Sequence, residues 1–227
     1  MRATKALGIG FVGLTTGSKA RRLLEEGASC VLPDFLDPVR VNECLESVAR
    51  NPNSEGGMSF TIRPETAADQ EAIRHVNRLA FGQDDEARLV DALRDGGYVR
   101  ASFVAEQAGE VVGHILFSDL PIITDAGTVP ALALARMAVL PELQRQGIGS
   151  ALVRRGLDEC RQQGHKIVVV VGHPNFYPRF GFSSELASAL ASPFGGRDSW
   201  MALELVPGAL DGVAGRVQYP PPFGTFV

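Results

Sequence analysis

The sequence predicts an α/β protein, with a mixed central β-sheet flanked by helices in residues 58–227 and a short appendage before it. Three observations predict this class. IVVVVG at 167–172 is a short, wholly apolar, β-branched run, as expected of a strand buried on both faces. Just before it, residues 148–163 place Ile148, Gly149, Leu152, Val153, Gly156, Leu157 and Cys160 on one half of a helical wheel. Ser150, Arg154, Asp158 and Arg161 lie opposite, the pattern of a helix resting on a sheet. SFVAEQAGEVVGHILFSDL, 102–120, reads as two strands turning about Ala108–Gly109.

The boundary comes from RNPNSEGGM at 50–58, where Asn, Pro, Ser and Gly crowd together without a hydrophobic period. Residues 51–57 are the expected linker. The 170 residues from Met58 are the size of a complete domain, whereas 1–50 are too few to hold much of a core alone. Residues 1–57 carry seven basic and seven acidic side chains, against 15 and 19 in the remainder. The whole net charge of −4 therefore belongs to the second piece. That balance argues against nucleic acid as a partner, and an anionic ligand would have to be met by local positive groups.

No apolar run approaches the roughly 18 residues that cross a bilayer, and no signal peptide is read in the first 20 residues. Cys30, Cys44 and Cys160 are odd in number and widely spaced. They suggest neither a disulfide framework nor a zinc site, and the expected setting is a reduced cytoplasm.

From Met58 the elements follow in order. A strand at 59–63 leads to a helix near 67–81, with Thr66 as its N-cap and Asp69 adding first-turn negative charge. A second helix near 84–95 gathers Leu89, Val90 and Leu93 and stops at Gly96–Gly97. After the hairpin comes a strand, LALARMAVL, closed by Pro141. The 148–163 helix and the central strand then form one strand–helix–strand crossover. HPNFYPRFGF is rich in turns, 183–199 is weakly patterned, and WMALELV supplies a last strand.

The chemistry gathers at LPELQRQGIGSALV, 140–153, where Gly147 and Gly149 stand at a helix start. The first turn of a helix offers unpaired amides and the positive end of the macrodipole, and residues without Cβ let an anion approach. Arg145 adds a charge beside them. Leu152 stands where a dinucleotide turn needs a third small residue, and no Lys follows the glycines as a Walker loop requires. By itself the pair leaves both an anion site and a plain helix start open. A literal G-x-G-x-x-G at Gly8, Gly10 and Gly13 lies within and before a strand, which is the wrong context for a nucleotide.

Residues 58–227 resemble the GNAT superfamily of acetyl-CoA-dependent N-acetyltransferases. RMAVLPELQRQGIGSALV carries the superfamily's Gln/Arg-x-x-Gly-x-Gly/Ala signature as Gln144, Gly147 and Gly149. IVVVVG fits the strand that follows, NFYPRFGF fits the terminal Asn and Tyr before Gly-Phe, and IRPETAADQEAI fits the opening strand and helix. The resemblance implies a splayed central sheet and acetyl-CoA as cosubstrate, with no metal. It implies that the backbone of Met137, Ala138 and Val139 pairs with the pantetheine arm. The pyrophosphate would lie on the amides of Arg145, Gln146, Gly147, Ile148, Gly149 and Ser150, with Gln144 nearby. Asn175 matches a cofactor-contacting Asn, and Tyr177 matches the tyrosine that protonates the leaving thiolate.

The acceptor is expected to be a primary amine of a small molecule or a protein. The general base is left among His114, His173, Glu106, Asp119 and Glu142, and the sequence leaves a homodimer open. The alternative on the same fold is a non-catalytic acyl-CoA-binding or sensory module. Arg136 interrupts its apolar strand and faces opposite to Met137 and Val139. It suits either an acidic substrate group or a sheet surface.

GIGFVGLTTGSKARRLLEEGASCVLPDFLDPVRVNECL, 8–45, resembles the C-terminal strand–helix–strand–helix of haloacid dehalogenase-like phosphatases. The catalytic Asp pair of that family has no counterpart in the stretch, so 1–50 is expected to be non-catalytic. It is read either as the remnant of an upstream coding sequence, with Met58 as the transferase's start, or as a segment that docks on the sheet.

Overall fold

A computed structural model describes residues 59–194 and 196–225, together with two short strands at 12–14 and 30–32. The chain divides into two compact units, Met1–Met58 and Ser59–Val227. In the first, β1 (Val12–Leu14) and β2 (Cys30–Leu32) pair in parallel. The helices expected there lie outside the described residues, as do Gly8 and Gly10 of the glycine-rich decoy.

The second unit is built on a six-stranded sheet of order β11-β9-β8-β5-β4-β3. Its strands are β3 (Phe60–Pro64), β4 (Val99–Gln107), β5 (Glu110–Asp119), β8 (Leu132–Val139), β9 (Ile167–Val171) and β11 (Trp200–Glu204). All neighbours are antiparallel except β8 and β9, which the crossover helix α3 (Ile148–Gln162) makes parallel. Gln107 pairs with Glu110 across a two-residue turn. Both turn residues have positive φ, Ala108 at 52° and Gly109 at 85°, as such hairpin turns need.

The two faces of the sheet carry separate cores. On one, Ile148, Leu152, Val153, Leu157 and Cys160 of α3 pack on Phe103, Ile115, Phe117 and Leu134. On the other, α1 (Gln70–Phe81) and α2 (Asp85–Asp95) bring Ile73, Leu89, Val90 and Leu93 against Val104, Leu116, Ala133 and Ala135. Val168 to Val170 alternate between these cores, which is why their run shows no polar residue. The opening turn of α1 differs from simple capping. The Asp69 carboxylate accepts from both the amide and the hydroxyl of Thr66 and pairs with Arg63 at 2.7 Å. Arg63 also reaches Glu106 at 2.7 Å, which joins the helix start to the outer strands.

Sequence patterning missed a second sheet of order β10-β12-β6-β7. Its strands are β6 (Ile122–Thr124), β7 (Gly127–Val129), β10 (Leu190–Ala191) and β12 (Gly215–Val217). Two or three residues cannot display a period, so pairing across distant segments decides them. The indole Nε1 of buried Trp200 donates to the Leu190 carbonyl at 2.9 Å and ties this sheet to β11.

Gly156 is the point of closest approach between α3 and the sheet. A Cβ there would lie 2.8 Å from Cζ of Phe117, a ring with no exposure and so no room to move. Gly156→Ala is expected to lower unfolding stability by about 1–3 kcal/mol despite its better helix propensity, measured by urea denaturation.

Candidate active site

β8 pairs with β9 only at Leu132–Val168 and Ala133–Val169. Beyond Ala133 the two strands part, although β8 stays paired to β5 as far as Val139–Gly113. One cause is visible in the register. Arg136 faces Leu116 and Leu134 faces Phe117, so Ala135 is an extra residue, a bulge that bends β8. Met137, Ala138 and Val139 therefore line a wedge with their β9-side backbone groups outside the β8–β9 ladder.

The wedge opens beside the start of α3. Pro141–Leu143 forms a 3-10 turn, and the Leu140 amide makes a last link to Val112 at 3.0 Å. Arg145 (φ 62°) and Gly147 (φ 90°) then adopt left-handed backbone before the helix. The first intrahelical bond runs from the Ala151 amide to the Gly147 carbonyl at 3.0 Å. The amides of Ile148, Gly149 and Ser150 precede it and carry the positive end of the helix dipole.

The two signature glycines serve different needs. A Cβ at Gly147 would meet open space, so its requirement is conformational. A Cβ at Gly149 would sit in ordinary contact with Met137 at 3.6 Å and Phe176 at 3.7 Å, so a methyl fits there and only a larger side chain would crowd the strand and the turn. The Gln144 side chain donates from Nε2 to the Val139 carbonyl at 3.1 Å. Gln144 thus braces the turn against β8. Gln146 braces it too, donating to the Glu142 carbonyl at 3.2 Å.

Opposite, the segment after β9 turns back through a 3-10 helix, Tyr177–Phe180, with the Phe176 and Tyr177 amides donating to the His173 carbonyl. Tyr177 is buried, edge-on to Phe176 at 5.0 Å and to Phe182 at 5.6 Å. Its ring lies against Gly172, where a Cβ would come within 2.6 Å of Cδ2. Burial pushes the phenol up to about 12, so it is protonated and neutral at pH 7. Its hydroxyl has no hydrogen-bond partner among the described residues. Asn175 is exposed in the same turn, its carbonyl accepting from Arg179 at 3.2 Å.

Residues 61–184 match the family model described as "Acetyltransferase (GNAT) domain". The chain belongs to the GNAT acetyltransferases. It is 34% identical over 167 residues to the Escherichia coli protein called "Uncharacterized N-acetyltransferase YhbS", a match covering 73% of this chain and 99% of that protein. A crystal structure of YhbS in complex with CoA is similar at a TM-score of 0.70 and 31% identity, over 77% of this chain and 97% of that one. A GNAT family acetyltransferase from Brucella melitensis, solved with acetyl-CoA, is similar at 0.62 and 32%, covering 73% and 99%. This GNAT protein is therefore an N-acetyltransferase, built on its family's mixed, splayed sheet.

The base candidates separate sharply in this GNAT chain. Asp119 is paired with Arg100, and Glu106 with Arg63. Glu142 and His173 are exposed. His114 faces Ala138 across the β5–β8 ladder but has no exposure. It belongs to a buried network that sequence reasoning did not assemble. Its Nε2 lies 3.0 Å from Ser102 Oγ and 3.3 Å from Glu65 Oε2, and its Nδ1 lies 3.4 Å from Asn77 Nδ2. Ser102 also donates to Glu65, and Arg94 grips that carboxylate at 2.9 and 3.2 Å. Five residues from five segments meet here, so no local spacing could have announced them.

Burial lowers the His114 pKa, and a neutral ring with its proton on Nε2 fits these partners. Burial alone would raise Glu65, but its bonds to His114, Arg94 and Ser102 outweigh that and hold it down at about 2. Two pH windows follow. An unfolded His binds a proton below about 6.5 while buried His114 resists it, so its contribution to stability falls as pH drops from 7 towards 5. Glu65 stabilises fully above its unfolded value and loses that support progressively as pH falls from there to about 2. His114→Gln should flatten the slope of unfolding stability between pH 7 and 5, followed by denaturant titration at each pH.

Proposed function

We propose that this chain moves the acetyl group of acetyl-CoA to an amine by direct attack of that amine on the thioester. The observation that carries the proposal is the wedge. A strand leaves its parallel neighbour after two residue pairs, beside a helix start whose amides are free to receive phosphate. Support also comes from the relatives solved with CoA and with acetyl-CoA.

In this scheme the backbone of Met137, Ala138 and Val139 pairs with the pantetheine arm along the opened edge of β8. The amides from Arg145 through Gln146, Gly147, Ile148 and Gly149 to Ser150 hold the pyrophosphate. Gln144 acts through its bond to Val139, fixing the turn against the strand that holds the arm. Asn175, at the far side of the wedge, meets the cofactor from the β9 end.

The neutral amine forms a new N–C bond at the thioester carbonyl, and a strand amide near Ala138 steadies the oxyanion. As the C–S bond breaks, Tyr177 gives its proton to the departing sulfur, while the acceptor nitrogen loses one to solvent or a base. Burial keeps the Tyr177 phenol protonated at pH 7, so the proton is in place when the C–S bond breaks.

Acetyl-CoA should raise the melting temperature, since a ligand at 100 times its Kd adds about 2.7 kcal/mol to the folded state. No shift at saturating acetyl-CoA overturns the proposal. Tyr177→Phe should lower kcat roughly 100-fold while acetyl-CoA binding and urea stability stay near wild type, because the hydroxyl makes no bond whose loss the fold would feel. Unchanged kcat in the CoA-release assay would return this ring to a packing role. Gly149→Val should weaken acetyl-CoA binding, read by calorimetry, because its branches crowd Met137 and Phe176 at the wedge mouth.

A further inference from the structure

Arg136 is set differently from most arginines of the domain. Arg63, Arg74, Arg78, Arg94 and Arg100 each bond a carboxylate. Arg136 is half-buried, its Nε is buried, and that nitrogen has no hydrogen-bond partner among the described residues. Its guanidinium stands 5.9 Å from the Phe81 ring centre at the end of α1. Glu86, in the first turn of α2, also keeps a buried oxygen, Oε2, without a partner. The two charges attract, but they form no ion pair within 4.0 Å. Tyr219 lies close enough to interact with Arg136 and also lines a cavity of about 640 Å³. Burial works against the Arg136 charge, and an orphaned cation of this kind costs free energy that a bound anion would recover.

The position of this group gives it meaning, and the step rests on the acetyl-transfer reading above. The phosphate-binding turn and Met137 belong to the α3 face of the sheet. Arg136 pairs with Leu116, whose side chain belongs to the opposite core, under α1 and α2. In that reading a thioester entering the wedge from the α3 face would leave the opposite face open to the attacking amine. Arg136 precedes Ala138 by two residues, roughly 7 Å along the strand. We propose that Arg136 binds a carboxylate on the acceptor, so that the substrate is an amine bearing a carboxylate a few bonds away. The planar guanidinium can take that group through two parallel hydrogen bonds, with the Phe81 ring on one side of it.

The test compares matched acceptors on wild type, Arg136→Gln and Arg136→Lys. Free amino acids are set against their carboxamides and their decarboxylated amines, with aminoethylphosphonate as a phosphonate control. CoA release gives kcat/KM, and calorimetry in the presence of CoA gives acceptor affinity without turnover. Wild type should favour the carboxylate member of a pair by roughly 10- to 100-fold, the range of one charge-assisted bond. Arg136→Gln should erase that preference, and Arg136→Lys should keep part of it.

Acetyl-CoA affinity should be equal in all three proteins, which also shows that the variants fold. Equal use of carboxylates and carboxamides by wild type overturns the proposal. So does a preference that survives Arg136→Gln, a preference for the phosphonate, or failure of every pair to bind while acetyl-CoA binds. Failure to bind acetyl-CoA would instead strike the acetyl-transfer reading.

Discussion

The architecture of this domain turns on where one ladder stops. Two parallel strands joined by a crossover helix have every reason to stay paired, because each unmade backbone bond is a cost. Here the pairing of β8 with β9 ends at Ala133. The bulge at Ala135 bends β8 while its bonds to β5 persist on the other side, so the bend is held from one edge only. The backbone groups left over at Met137–Val139 are edge groups inside a domain, a state that proteins otherwise hide. An extended polar ligand can complete such an edge in the way that a strand would.

Everything around the wedge serves to hold it open. Phe117 and Gly156 bring α3 tightly onto the sheet, which fixes where the helix begins. Gln144 and Gln146 lock the turn before it by bonds to main-chain carbonyls. On the opposite face, the Glu65, Arg94, Ser102 and His114 network pins β4 and β5 to α2. It lies behind the part of β5 that stays paired with Met137–Val139 of β8. Polar groups buried this deeply specify one arrangement, since any shift leaves one of them without a partner.

Much of this was legible from residue order, because the signals were local. The α3 stripe, the apolar β9 run and the Ala108–Gly109 turn each follow from spacing alone, and the structure has all three. The glycine signature marked where the candidate site was expected but not the division of labour between its two glycines. Gly147 answers a backbone angle, whereas Gly149 leaves room for little more than a methyl beside Met137 and Phe176, which only packing can reveal. The second sheet was hidden because strands of two or three residues carry no period. The His114 network was hidden because its members share no segment. Arg136 was visible as an anomaly in an apolar strand, but its orphaned nitrogen and its closeness to Glu86 and Phe81 are tertiary facts.

Cys160 packs among the apolar residues on the sheet-facing side of α3. It is fully buried, and burial pushes its thiol up to about 12. At neutral pH the thiol therefore stays protonated, and the thiolate is the form that attacks a thioester. A protein that handles an activated acyl group risks acylating itself, because thiol–thioester exchange needs little more than a nearby sulfur anion. Held beneath the sheet, this sulfur is both uncharged and out of reach. The same packing that seats the helix thus spares it from capturing the acyl group as a dead-end adduct.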